Sequence, residues 1–224
     1  NSAMSLKVLQ FAHSPFCIPI TAVLRSCGVP FETQEVSNAD RSEILRLTNG
    51  AYYQVPVLLH DDRVIYETGA TNQDVARYVD RGFAGGRLFP ERLDGLQAIV
   101  IDFLEDDVEF ETFRLVDPHY LDNITDVAER GMTIRHKERK FGRGCVEQWR
   151  ASAKDIRAAA DRHLSRFEST LRHSKFLFGD APVYSDFLLY GILGNLTYKG
   201  WNTLDPEKQS ALIRWQKDVE QFRF

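Results

Sequence analysis

The chain has 224 residues, 43% hydrophobic and 27% charged, with a net charge of −4. That is ordinary globular composition, enough for one large or two small domains, and its acidic balance offers no footprint for nucleic acid or an anionic membrane. No apolar run approaches about 18 residues and no signal-peptide core opens the chain, so a cytoplasmic protein without a membrane span is expected.

Asn1-Ser2-Ala3 ahead of Met4 reads as a cloning remnant and is set aside. Leu6 to Phe11 is a buried strand that stops at Ala12-His13-Ser14-Pro15-Phe16-Cys17. Pro15 suits a first helical turn and leaves Ser14 at the cap with a free hydroxyl. Ile20, Val23, Leu24 and Cys27 continue that helix to Gly28. Phe31 to Val36 follows as a strand, then a short polar helix near Arg41 to Thr48, then a hairpin that turns at Asp61-Asp62 and returns as Val64-Ile65-Tyr66. A helix carrying Val75, Ala76 and Val79 ends at Gly82, and the glycine-rich stretch to Pro90 reads as an interdomain linker. Everything after it is helical. Leu93, Leu96, Val100, Phe103 and Leu104 mark a helix that extends toward Val116 and is stopped by Pro118. Thr125 to Lys140 is a charged helix, and Trp149 to Leu171 is a single amphipathic one. Gly179-Asp180-Ala181-Pro182 turns the chain into Phe187 to Leu193, apolar all round and therefore the buried centre of the second domain; Leu212, Trp215, Val219 and Phe222 stripe the last helix.

Three cysteines, Cys17, Cys27 and Cys145, fit a reducing compartment rather than a disulfide framework. Cys17 and Cys27 share one helix and lie about 15 Å apart, beyond disulfide reach. The six histidines are scattered without ligand spacing, so no metal is expected.

The chemistry gathers at Gln54-Val55-Pro56 and Glu67-Thr68. Ahead of proline, Val55 is extended, with its N–H and C=O free to pair with an extended ligand backbone. Thr68, at the cap of the next helix, offers a hydroxyl and free amides to a carboxylate, while Glu67 accepts an ammonium. Together they form a platform for a small peptide. Read separately, Pro56 is an edge-strand proline and Thr68 a plain cap.

Ser14-Pro15-Phe16-Cys17 after the first strand, Val55-Pro56 and Glu67-Thr68 downstream, and an all-helical second half together resemble the cytosolic glutathione transferase superfamily over nearly the whole chain. The resemblance implies an α/β thioredoxin-like glutathione-binding domain at 4–81 and an all-α helical-bundle domain with a second-substrate pocket at 91–224. It also implies a cytoplasmic homodimer, with Phe103 and Leu104 at the two-fold interface, that conjugates glutathione to a small, hydrophobic electrophile in detoxification. Ser14 stands where relatives carry the residue that acts on the glutathione sulfur, and the Ser-Pro-Phe form is similar to the tau class. Val55-Pro56 stands at the family's cis-proline site, Phe16 and Gln54 flank the peptide, Gln54 near its glycyl end, and Glu67-Thr68 matches the pair that holds the γ-glutamyl group.

A thiol of pKa about 8.5 is mostly protonated at neutral pH, and a hydrogen bond from Ser14 to its anion, worth about 1.5 to 3 kcal/mol, lowers that pKa by one to two units. Two rival readings remain open: a fold kept for binding without turnover, and an oxidoreductase in which Cys17 forms a mixed disulfide with glutathione, against which Cys17 reads as a packing residue. His13 and Arg41 read as surface residues. Phe110, Phe113 and Tyr120 are candidates for the second-substrate pocket, and the basic stretch Arg135 to Arg143 is either a solvated face or an attraction for an anionic co-substrate. Val183 stands where relatives carry a hydroxyl that caps the buried helix, which leaves Asp186 to satisfy the local amides.

Overall fold

The computed structural model describes residues 2–224; Asn1, the first of the residues set aside above, lies outside them. β1 (Leu6–Gln10) sits at the centre of a four-stranded sheet, flanked by β2 (Glu32–Glu35) in parallel and β3 (Val57–His60) antiparallel, with β4 (Arg63–Ile65) outside β3. Val8 faces Thr33 on one side and Leu58 on the other. Because side chains alternate across a strand, Leu6 and Val8 enter the main core while Leu9 and Val57 enter a smaller one with Cys17, Ile44 and Val55. The sheet is therefore covered on both faces. α1 (Ile18–Ser26) and α3 (Asp74–Val79) cover the first, and α2 (Ser42–Leu47) the second.

The expected linker is pinned. Asp80 accepts hydrogen bonds from the Leu88 and Phe89 amides at 2.9 and 3.2 Å, and the Leu88 carbonyl accepts from Gln97 and Tyr184 at 2.8 and 3.0 Å. Beyond it come α4 (Asp94–Phe103), a π-helical segment (Leu104–Val108), α5 (Glu109–Asp122), α6 (Val127–Phe141), α7 (Cys145–Ala151), α8 (Ala153–Leu171), α9 (Tyr184–Leu196) and α10 (Ser210–Gln221). Two expectations change here. Pro118 lies inside α5 rather than ending it: Val116 and Leu121 on either side are buried, and that burial outweighs the one hydrogen bond, to the Arg114 carbonyl, that the proline cannot donate. The amphipathic stretch from Trp149 is two helices, broken at Ser152. No helix among the described residues is long and apolar enough to cross a membrane.

α9 is buried along almost its whole length, as its apolar run predicts. It presses on α1 through Gly191, where a Cβ would fall 2.4 Å from the Pro19 ring and 2.6 Å from the Pro15 carbonyl. Only glycine allows that approach. One turn on, Asn195 Nδ2 donates to the His13 carbonyl at 2.5 Å. The helical half thus props the turn that carries Ser14.

The missing cap hydroxyl at Val183 is replaced by Asp186. Its carboxylate accepts from the amides of Leu177 and Val183, at 2.9 and 3.0 Å, and from the Trp215 indole at 2.9 Å. Burial raises this carboxyl to about 6 against the opposing pull of those three donors.

Candidate functional site

Ser14 is held by its own turn. Its amide donates to the Phe11 carbonyl at 3.0 Å, and its carbonyl accepts from Cys17 and Ile18 at 3.2 and 3.0 Å. Its Oγ accepts from the Phe16 and Cys17 amides at 3.2 and 3.3 Å. These bonds use the acceptor side of the hydroxyl and leave the O–H to donate to a group in the adjoining cavity. The helix proper begins later than expected, at Ile18 rather than Pro15.

Cys17 is fully buried in the smaller core, and burial pushes its thiol up to about 12 despite the neighbouring Ser14 hydroxyl. A reactive thiolate needs the opposite environment. The Cys17 oxidoreductase reading has no support in this geometry.

Two cavities meet at a ridge formed by Phe16, Gln54 and Val55. The first, about 470 Å³, is lined by that ridge together with Tyr52, Pro56, Glu67, Gln73, Glu105 and Tyr184. The Val55-Pro56 bond is cis, and neither the N–H nor the C=O of Val55 has a hydrogen-bond partner among the described residues. That edge is open to an extended peptide, as the sequence suggests.

Glu67 and Thr68 are placed differently from expectation. The Glu67 carboxylate accepts the amides of Asp74 and Val75 at 2.8 and 3.1 Å, so the chain's own carboxylate fills the start of α3. Thr68 is exposed, and its hydroxyl and amide donate to Asp74 Oδ2 at 2.9 and 2.8 Å. It does not line the cavity. The reason lies in the length of the loop: Gly69 to Gln73 carries Thr68 away from the helix start, and Asp74 staples the loop back through Thr71 and Thr68. Burial alone would raise Asp74, but those hydrogen bonds outweigh it and hold its carboxyl near 2.

Glu105 is a residue the sequence reading missed. It comes from the π-helical segment of the helical half, lines the same cavity as Glu67 and accepts from Gln73 Nε2 at 2.5 Å. Burial raises both carboxyls; the Asp74 charge adds to the rise at Glu67, and the Asp106, Glu67 and Asp102 charges add to it at Glu105. Two desolvated acids in one cavity favour a cationic occupant. The acidic run Glu105-Asp106-Asp107, which interrupts an otherwise apolar helix pattern, was the signal available in the sequence.

The second cavity, about 350 Å³, adjoins Ser14 and is walled by α5 and α6. Phe113 and Tyr120 line it as expected, whereas Phe110 is 43% exposed and lies outside it. His13 is not a free surface residue. Its ring stacks on Tyr120 with centroids 3.8 Å apart, and burial, with Lys137 and Lys199 nearby, lowers its pKa to about 4. Arg41 is likewise held, donating to the Tyr53 and Asn38 carbonyls, and lines neither of the two cavities.

The basic stretch resolves by helical spacing. Thr133, His136, Lys137, Lys140 and Phe141 face the cavity, while Arg135 pairs with Glu138 on the outer side. Lys137 makes a 2.5 Å ion pair with Asp117. These walls carry more charge than a purely hydrophobic electrophile calls for.

Residues 13–80 match the family described as Glutathione S-transferase, N-terminal domain. A protein of Oryza sativa subsp. japonica named probable glutathione S-transferase GSTU6 is 28% identical, over 97% of this chain and 84% of its own length. The structure is similar to that of a glutathione S-transferase of Ceriporiopsis subvermispora in complex with glutathione, with a TM-score of 0.81, 14% identity and 98% of both chains covered. It is also similar to glutaredoxin 2 of Salmonella typhimurium in complex with glutathione, with a TM-score of 0.71, 22% identity and 98% and 94% covered. The Ser14 turn and the cis Val55-Pro56 edge lie within the matched N-terminal domain, and the similarity to these structures runs along nearly the whole chain: the chain has the fold of the glutathione transferases.

Proposed function

We propose that this chain is a glutathione transferase that joins the glutathione sulfur to a small electrophile held between α5 and α6. The observation that carries the reading is the junction of the two cavities. A peptide lying along Val55, with its ammonium toward Glu67 and Glu105, brings its thiol to Ser14 at the edge of the second cavity. Val55 pairs with the peptide backbone, Phe16 and Gln54 flank it, and Pro56 shapes the edge. Thr68 acts through the loop that it and Asp74 hold closed. The structures of relatives named as glutathione complexes support the choice of ligand. We take 4–81 and 91–224 as the two domains, and the three free thiols fit a reducing cytoplasm.

Calorimetry with glutathione, followed by turnover of a simple electrophile, tests the reading. Binding with glutathione-dependent turnover is expected, and binding without turnover of any electrophile would favour the non-catalytic module. Glu105→Gln is expected to weaken glutathione about tenfold, since a charge-assisted hydrogen bond is worth about 1.5 to 3 kcal/mol. A deaminated glutathione should bind both proteins equally. Equal loss for both ligands would mean that Glu105 does not meet the ammonium.

A homodimer is part of the proposal, but through a different face from the one expected. Leu104 is buried, and Phe103 packs against His163 and Phe167. Leu96 and Ile99, 53% and 69% exposed on α4, are the apolar residues left for a partner. Ile99→Lys should shift the protein from dimer to monomer in sedimentation equilibrium. An unchanged dimer would place the interface elsewhere.

A further inference from the structure

α9 meets the Ser14 turn through two residues one turn apart. Gly191 lets the helix come so close that no side chain fits against the Pro15 carbonyl, and Asn195, 2% exposed, then sets its amide on the His13 carbonyl. That partner fixes which way the amide lies: turned over, it would put two oxygens 2.5 Å apart. No other group among the described residues donates to the His13 carbonyl. The other end of the amide tells a second fact. Asn195 Oδ1 is the one buried side-chain nitrogen or oxygen among the described residues that has no hydrogen bond. A buried acceptor without a donor costs stability, so a side chain placed for stability alone would not carry it. What the amide contributes here is its hold on His13.

The His13 carbonyl belongs to the peptide group that joins His13 to Ser14, and the N–H of the same group donates to the Phe11 carbonyl at 3.0 Å. A peptide group is planar, so one hydrogen bond at each end sets its plane, and with it the direction in which the Ser14 side chain leaves the backbone. The Phe16 and Cys17 amides then hold Oγ itself. Without the Asn195 bond the plane is free to tilt about the bond to Phe11.

We propose, on the basis of the transferase reading above, that Asn195 is a positioning residue for thiol activation. From 182 residues away in the chain it orients the His13-Ser14 peptide group so that the Ser14 hydroxyl points at the glutathione sulfur. His13, Ser14 and Asn195 line the same cavity, so the orientation is set on the wall that the sulfur meets. The helical half thereby takes part in stabilising a thiolate that the other half binds. Hydrogen bonds weaken steeply as the donor angle closes, so a tilted Ser14 favours the thiolate less while the peptide still pairs with Val55.

The test titrates the glutathione complex by thiolate absorbance in wild type, Asn195→Ala, Ser14→Ala and the double variant. Asn195→Ala is expected to raise the midpoint of the bound thiol by about one unit and to leave glutathione affinity within about threefold. One unit is a tenfold smaller thiolate fraction below the midpoint, so kcat/KM for a model electrophile should fall about tenfold there and converge on wild type at alkaline pH, where both thiols are ionised. Because the residue acts through Ser14, Asn195→Ala should move the midpoint by less than about 0.2 unit once Ser14 is alanine. A residue that merely supported the fold would lower the rate in both backgrounds and at every pH. An equal shift in both backgrounds, or a wild-type midpoint below the free value that Asn195→Ala leaves in place, would overturn the proposal alone. A wild-type complex whose thiol ionises at the free value of about 8.5 would instead overturn the Ser14 reading, and this proposal with it. Asn195→Leu, close to asparagine in shape, lacks the same donor and is expected to give the same shift, which keeps the comparison decisive should the alanine variant fail to fold.

Discussion

Asp186→Ala is expected to remove about 3 to 5 kcal/mol of folding stability, the largest effect of any single polar substitution in the chain. The carboxylate has no exposed surface and accepts three hydrogen bonds, from Leu177, Val183 and Trp215. Truncation strands those donors in the core, at about 1 to 3 kcal/mol each when no water reaches them. Part of that cost is recovered by relaxation. The remainder is a fifth or more of the roughly 5 to 15 kcal/mol that holds a domain folded. Trp215 is fully buried on α10, so the same carboxylate joins α10 to the start of α9, and α9 props the Ser14 turn. Denaturant midpoints of the two proteins measure it. A change below about 1 kcal/mol would show that the turn between Phe176 and Val183 carries the helix start by itself.

The sequence disclosed the elements whose signals are local. The apolar run of α9, the X-Pro dipeptide before β3 and the Ser-Pro turn after β1 each follow from residues adjacent in the chain. It did not disclose what depends on distant partners. Pro118 reads as a helix stop because nothing nearby announces the buried packing of Val116 and Leu121 that carries α5 through it, and the need for glycine at 191 shows only once Pro15 and Pro19 are seen against it. Glu67-Thr68 reads as a ligand-binding pair, yet the loop that follows is long enough for Glu67 to cap α3 itself. The basic stretch separates into an inner and an outer face only once α6 is packed beside α5, and Glu105 joins the peptide cavity only through a π-helical turn that no periodicity predicts.

Ser14→Ala is expected to lower conjugation at neutral pH by about tenfold to a hundredfold while leaving glutathione affinity within a few-fold. The hydroxyl accepts from the Phe16 and Cys17 amides, which fixes its oxygen and polarises its proton. Such a donor favours the anion of the bound thiol over the neutral thiol by about 1.5 to 3 kcal/mol, equivalent to one to two pKa units. Because binding of the neutral thiol uses the bond much less, the loss appears in the rate and in its pH dependence. Cys17→Ala, by contrast, removes a buried packing thiol held near 12 and should leave the pH profile unmoved.

Titration of the glutathione complex by the ultraviolet absorbance of the thiolate, in wild type, Ser14→Ala and Cys17→Ala, observes the central step without an electrophile. The bound thiol in wild type should ionise about one to two units below the free thiol's value of about 8.5, return most of the way in Ser14→Ala, and stay unchanged in Cys17→Ala. A midpoint that is the same in wild type and Ser14→Ala, or that moves only when Cys17 is replaced, would contradict the assignment of Ser14 as the donor to the glutathione sulfur.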